Sequence, residues 1–469
     1  MILGIMRNAM LSFHREGDAP PEFQGKELDM AISFRVLMAQ CVILADYTKP
    51  HSNLIECLLL HLQADCMQMR EADISVWILV GVITRLAMRM GYHRDPKAFP
   101  VLSPFQAEMR RRVWSYLRQA DVLLSSHVCL PSMIRWSDGD VEAPGNLYDD
   151  DFDEHSKEIP ASRPINESTP ISYMIAKCRL TLTFGRVVEF VGAQTADYDT
   201  LIEIDSELRR NADLVPEHLR ICSSENYHPQ SSPSIGARVA INSIYHKGQC
   251  VLHRRYITRA RENPRHAYSR RTCIDSAMEL LRFQVMMHNQ SQPGGAIYSC
   301  GCPFNSNFLL AGTIVCLDVY HTSQLQMAGQ PSGDTYAWGV ERQDEMLSAL
   351  QRSRDMWNEL RDESIDAWKA SSVLGLLLEK MSLMRNAPRA FEPQDEKENA
   401  AITLGLLNSG LTPSPGSGST LLNNDTSPPK GAAHVQSPAR NVTTATSPFG
   451  NVNGMMPDFE LNLDWVCLS

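Results

Sequence analysis

The stretch from Ile74 to Ile134 constrains this chain most, because it spells out both ends of two helices. Asp73 can cap a helix in which Ile74, Trp77, Ile78, Gly81, Leu86 and Met90 turn inward, and Gly91 stands where a left-handed residue would stop it. Tyr92-His93-Arg94-Asp95-Pro96 follows the stop. Ser103-Pro104-Phe105-Gln106 then opens a second helix: Ser103 can cap, Pro104 suits the first helical position, and Gln106 can complete a capping box. Along this helix Val113, Leu117, Ala120 and Leu124 form one apolar stripe, while Glu108 and Arg112 stand four apart and can pair on its surface. It is expected to end before Pro131.

Helical spacing recurs on both sides of this pair. Between Leu28 and Arg70 two helices broken at Lys49-Pro50 are expected, one with Ile32, Val36, Leu37 and Cys41 on its apolar side, the other with Leu54, Leu58, Leu59, Leu62 and Cys66. Further helices are expected at Ser172–Gly192, Ile202–Ala212, Ser234–Arg259, Arg271–His288, Asn305–His321, Glu341–Asp362 and Ile365–Met384. The ordered region thus reads as helix after helix, so residues 1–385 are expected to form a multi-helix body of the all-α class. Residues 138–164 interrupt it with Asp149, Asp150, Asp151, Asp153, Glu154, Pro160 and Pro164, which by composition is a solvated acidic loop.

Beyond Asn386 the composition changes. Residues 386–469 hold nine of the 27 prolines and are dominated by Gly, Ser, Thr and Asn, so a disordered tail is expected. Its end, residues 455–469, interleaves Asp458, Glu460 and Asp464 with Phe459, Leu461, Leu463 and Trp465, the acidic-hydrophobic pattern of activation segments that fold onto a partner's groove. Thr412, Ser414, Ser427, Ser437 and Ser447 each precede proline in the tail and are candidate phosphorylation sites.

A formal charge of −10 argues against a broad surface for nucleic-acid phosphates. The twelve cysteines are scattered, and only Cys300 and Cys302 lie within three residues of one another, so they read as reduced core residues rather than metal ligands or disulfides. The N-terminus lacks a secretory pattern, and no apolar run approaches the roughly twenty residues a membrane span needs, so a soluble intracellular protein is expected. The common hydrolase, metalloprotease and dinucleotide signatures do not occur.

Three motifs admit a sharp and a plain reading. His93-Arg94-Asp95 looks like a kinase catalytic loop, but the position that should hold a magnesium-binding Asn is Pro100, and neither a glycine-rich loop nor Asp-Phe-Gly is present; these residues are therefore expected to satisfy helix-end carbonyls and pair with nearby charges. Arg110-Arg111-Arg112 invites a phosphate, yet consecutive helical residues point about 100° apart and cannot converge on one ligand. A structural pair between Arg111 or Arg112 and Asp95 or Asp121 is expected instead. His253–Arg271 carries seven arginines, of which Arg254, Arg255, Arg259 and Arg261 are candidates for nuclear import; the alternation of Leu252, Tyr256 and Ile257 with them also suits a half-exposed helix.

The motifs MRMGYHRDP, EMRRRVWSYLRQAD and CLPSMI, in this order, resemble the middle regulatory domain of fungal zinc-cluster transcription factors. The residues carrying the likeness are Gly91, His93, Arg94, Asp95, Glu108, Arg110, Arg111, Arg112, Trp114, Asp121 and Pro131, with Cys129 where the family usually has Gly. Weaker likeness extends over roughly residues 30–385. The resemblance implies a non-enzymatic nuclear regulator of RNA polymerase II genes, with a helical body that senses a small-molecule effector or partner, a tail that recruits the transcription machinery or a co-activator, and homo- or heterodimer formation. It also implies a six-cysteine zinc cluster opening with Cys-x-x-Cys. No such spacing occurs, so no cofactor is expected in this chain; zinc and direct DNA contact would belong to an upstream cluster in a longer product or to a dimer partner. The alternative is a helical interaction scaffold without activating function.

Overall fold

The computed structural model describes residues 1–68, 73–193, 197–221, 235–289, 302–327, 338–362 and 364–386. The C-terminal tail with its acidic-aromatic end and prolyl phosphorylation candidates, and the thiols of Cys300 and Cys302, lie outside them. Among the described residues the chain is helix after helix with no strand, the all-α class expected.

The helices run in chain order as α1 (Ile2–Glu16), α2 (Glu27–Leu44), α3 (Leu54–Gln68), α4 (Ile74–Arg89), α5 (Pro104–His127), α6 (Pro170–Gly192), α7 (Tyr198–Asp213), α8 (Ile235–His253), the one-turn α9 (Arg259–Glu262), α10 (Ala267–Asn289), α11 (Cys302–Met327), α12 (Val340–Glu359) and α13 (Ile365–Asn386). Contacts pass mostly between near neighbours, α1 onto both α2 and α3, α3 through α4 to α5, α5 to α6, α6 and α7 to α8, and α8 to α10. Helices α10 to α13 close the far end. Four apolar clusters follow this order, the largest gathering Phe283, Ile314, Leu350, Trp357 and Leu374 from α10 to α13.

Sequence periodicity misplaced several faces. Helix α1 was not anticipated; its Arg7 is fully buried and reaches Asp65 and Gln68 at 2.6 Å and His61 Nδ1 at 3.0 Å, tying α1 to α3. On α2 the expected inward residues Ile32, Val36, Leu37 and Cys41 are exposed, and Ala31 and Met38 are buried instead. On α4 the inward positions are Val76, Val80, Ile83 and Ala87, whereas Ile74 and Ile78 face solvent. In both helices apolar residues surround the axis, so more than one phase fits the sequence. The run expected through Arg259 breaks after His253, where one 3-10 turn, Arg254–Tyr256, redirects the chain.

Candidate functional site

The two motif-bearing helices meet as their end signals foretell. Asp73 Oδ1 accepts the Ser75 N–H at 2.8 Å, and Gly91, at φ 78°, ends α4. The Tyr92 N–H returns to the Ala87 carbonyl and the Gly91 N–H to Met88, both at 3.0 Å, the paired bonds of a Schellman stop. Ser103 and Gln106 form the reciprocal capping box of α5. The α4 end is further held by Arg110, whose guanidinium donates to the Met90 carbonyl at 3.2 Å and lies over the Tyr92 ring, while the Tyr92 hydroxyl donates to Glu56 on α3. The helix-end carbonyl is thus met by Arg110, not by the His93-Arg94-Asp95 string expected to do so.

Asp95 is the hub of the crossing. Its carboxylate takes four hydrogen bonds: from Arg111 Nε at 3.1 Å and Nη2 at 2.8 Å, and from the N–H groups of Lys97 and Glu142, each at 3.0 Å. Burial pushes its pKa up, but these donors and the Arg111 charge outweigh burial and hold it at about 2. A carboxylate so occupied has no lone pair directed at a substrate hydroxyl. Next to it Arg94 pairs with Asp140 at 3.1 Å, Asp140 Oδ1 accepts the Asp95 N–H at 2.9 Å, and the His93 ring tilts against the buried Trp114 with centroids 6.2 Å apart.

The three arginines reach three different targets, as their angular spacing requires. Arg112 pairs with Glu108 at 3.2 Å and with Asp149 at 2.6 Å, and its guanidinium covers the Phe152 ring. The Glu108–Arg112 pair, expected on the surface, is buried, because residues 139–152 fold over it: Glu108 also accepts the Gly145 N–H, and Asn146, Leu147 and Phe152 are buried. Burial pushes the Glu108 carboxyl upward. The loop is packed against α5 only over its first part: Asp149 meets Arg112 and Asp151 meets Arg163, while Asp150, Asp153 and Glu154 are exposed, as the solvated reading expected.

Asp121 pairs with no arginine; its Oδ2 instead accepts the N–H groups of Met133 and Ile134, both at 2.8 Å, and burial raises its pKa. This clamps the chain just after α5, where Pro131 is exposed and Cys129 adopts φ 56°. A left-handed residue at that point is a conformation that Gly, the residue the resemblance places there, adopts without strain.

The basic stretch is divided. Arg261 donates to Asp318 and Thr322 at 3.0 Å, and Arg270, buried, pairs with Asp318 at 2.8 Å, where the Trp338 indole also donates. Arg259 is exposed and lies over the Tyr256 ring, and Arg254 and Arg255 are half-buried beside buried Leu252, Tyr256 and Ile257. Sequence reading missed a second network: Ser269 Oγ lies 2.9 Å from His253 Nδ1, His253 Nε2 lies 3.4 Å from Asp205, and the Tyr268 hydroxyl donates to Asp205 at 2.5 Å. It superficially matches a nucleophile triad. Ser269 and His253 are fully buried, however, so the arrangement ties α7, α8 and α10 together. Burial pushes His253 down, favouring its neutral form, and the bonds from His253, Tyr268 and Arg209 outweigh burial to keep Asp205 well below the usual carboxylate range. Its hydrogen-bonded pairs lie 16 to 63 residues apart, so no local spacing announces it.

The zinc cluster that the resemblance implies needs six thiolates together. The described cysteines are distributed from α2 to α11, with only Cys250 and Cys273 facing each other across α8 and α10, so these residues do not fit the group.

Residues 22–211 match the model of the fungal specific transcription factor domain. Over 372 residues, 78% of this chain and 44% of the relative, the chain is 37% identical to the Zn(2)-C6 fungal-type transcription factor pigI of Monascus ruber. It is 32% identical over 391 residues, 82% of the chain and 53% of the relative, to mpsB of Macrophomina phaseolina, named as the same type of factor. It is also 32% identical, over 86% of the chain and 55% of the relative, to the equisetin cluster transcription factor eqxF of Fusarium heterosporum. The chain spans about half the length of these curated relatives. No solved structure matches it. The domain match covers both motif-bearing helices, the Asp95 hub and the folded acidic loop, so the region read from the motifs as similar to fungal zinc-cluster transcription factors is the one that matches the fungal specific transcription factor domain.

Proposed function

We propose that this chain is the regulatory and activating portion of a nuclear transcriptional regulator of RNA polymerase II genes, without catalytic activity of its own. The observation that carries the reading is the domain match over residues 22–211 combined with relatives named as transcription factors along most of the chain. The site geometry supports it: Asp95, Arg111, Arg112 and Glu108 are occupied by one another and by backbone N–H groups, which suits a rigid body transmitting a signal better than a reaction centre. In this proposal the body receives an effector or partner, DNA is reached through a zinc-cluster module or a dimer partner, and residues 455–469 engage a co-activator through Phe459, Leu461, Leu463 and Trp465 between Asp458 and Asp464. Arg254, Arg255 and Arg259 remain the proposed import contacts. The relative named for an equisetin cluster puts the genes of a comparable cluster forward as targets.

The experiment is to fuse Met455–Ser469 to an unrelated DNA-binding domain and read a reporter. Activity that disappears on changing Phe459, Leu463 and Trp465 to Ala is the expected result. Silence of the intact segment overturns the activation role and favours the interaction scaffold.

A further inference from the structure

Between α5 and the acidic loop the chain makes one 3-10 turn, Trp136–Asp138, and Ser137 stands exposed at its centre. Its neighbours close the turn: Asp138 Oδ2 accepts the Arg135 N–H at 2.8 Å, and the Asp138 N–H returns to the Arg135 carbonyl at 3.1 Å. The Ser137 hydroxyl takes no part in this or in any other hydrogen bond among the described residues.

The chain after Ser137 carries one sign of charge. Asp138, Asp140 and Glu142 stand one, three and five positions on, and between Arg135 and Lys157 there are eight acids and no Lys or Arg. An exposed hydroxyl followed by such a row of carboxylates is the substrate pattern of a serine kinase whose peptide groove is basic. Ser156, beside Asp153 and Glu154, does not share it: its hydroxyl donates to Asp153 at 2.9 Å, and Lys157 follows.

The same acids dock on the Asp95 hub. Arg94 pairs with Asp140 at 3.1 Å, each about half exposed, Asp140 Oδ1 accepts the Asp95 N–H at 2.9 Å, and the Glu142 N–H donates to the Asp95 carboxylate at 3.0 Å. Between these bonds Gly139 sits so close that a Cβ there would stand 2.5 Å from the His93 carbonyl oxygen. A kinase reads its substrate extended, so it reaches Asp138, Asp140 and Glu142 together only when residues 139–142 lift from the hub. Few bonds hold this segment and they lie at the surface, where local opening costs least.

We propose that Ser137 is a phosphorylation site for an acid-directed serine kinase, and that its phosphate keeps residues 139–142 from docking on the hub. In the transfer, Ser137 Oγ bonds to the γ-phosphorus of ATP, the bond to the bridging oxygen breaks, ADP leaves, and the hydroxyl proton passes to the kinase's carboxylate base. The product carries nearly two negative charges beside Asp138. Two arginines flank the turn: Arg135, exposed and without an acidic partner among the described residues, and Arg94, held by Asp140. A dianionic phosphate attracts a guanidinium more strongly than a single carboxylate does, so it draws Arg94 away and leaves Asp140 between Asp95 and the phosphate with no cation. The inference stands on this geometry and does not depend on the transcriptional reading.

The test treats the full chain with ATP and an acid-directed casein kinase, maps the phosphate by tandem mass spectrometry, and then times cleavage at Glu142 by a glutamate-specific protease. Ser137 should be labelled in the parent, faster in G139A, whose docked segment is lifted, and not in S137A. The labelled parent should be cut about fivefold faster than the unlabelled one, and kinase-treated S137A should be cut no faster than untreated S137A. No phosphate on Ser137 in the parent or G139A, with casein labelled in the same tube, overturns the site. Phosphate on Ser137 with an unchanged cleavage rate overturns the release of residues 139–142.

Discussion

Replacing Arg111 by Ala tests whether the Asp95 hub holds α4 to α5. The pKa of Asp95 lies at about 2 instead of its ordinary 3.8, and a displacement of nearly two units corresponds to about 2.5 kcal/mol of folding free energy. Part of this belongs to the Lys97 and Glu142 N–H groups, which survive the substitution, and the two side chains keep 17% and 11% of their surface in water. The expected loss at pH 7 is therefore about 1.5 kcal/mol, below the 3–5 kcal/mol of a fully buried pair. The sign in pH follows from the depressed pKa: the contribution is complete above pH about 4 and fades as pH falls toward 2. Urea unfolding followed by far-UV circular dichroism at pH 7, 5, 4 and 3 should show R111A weaker at neutral pH and converging on the parent in acid. R111K, which keeps the charge but loses the two-point geometry, should fall between them. A loss under about 0.5 kcal/mol at pH 7, or an undiminished gap at pH 3, would refute the hub.

Two further substitutions probe the same region from the backbone. Cys129→Gly should raise stability by roughly 0.5–1 kcal/mol, because the left-handed φ of 56° costs a side chain more than glycine loses in unfolded-state entropy; a lower urea midpoint would show that the thiol's packing outweighs the strain. Gly139→Ala would put a Cβ 2.5 Å from the His93 carbonyl oxygen, so the acidic loop must lift; a cost of about 2 kcal/mol and faster protease cleavage between residues 140 and 165 are expected, and an unaltered digestion pattern would refute the close docking.

Much of the Ile74–Ile134 region was legible because its signals are local. Capping box, left-handed stop and proline at the first helical position each involve residues within a few positions, and all occur as read. The Arg111–Asp95 pair was among the expected combinations, since the angular spacing of consecutive helical residues sends the arginines different ways. The direction of an apolar-all-round helix is not local. On α2 and α4 the inward side is chosen by which neighbour arrives, and the chain contains no statement of that.

The sequence by itself determined the helical class, the caps and stops of the central pair, and the motif order that carries the family resemblance, because these depend on residues close in the chain. Tertiary structure decided the rest. It folded residues 139–152 over Glu108 and Arg112, joined Asp205, His253, Tyr268 and Ser269 into one buried network, and gathered Arg261, Arg270 and Trp338 on Asp318. Each of these pairs groups many positions apart, and a charge or hydroxyl becomes structural only when burial removes the water that would otherwise satisfy it.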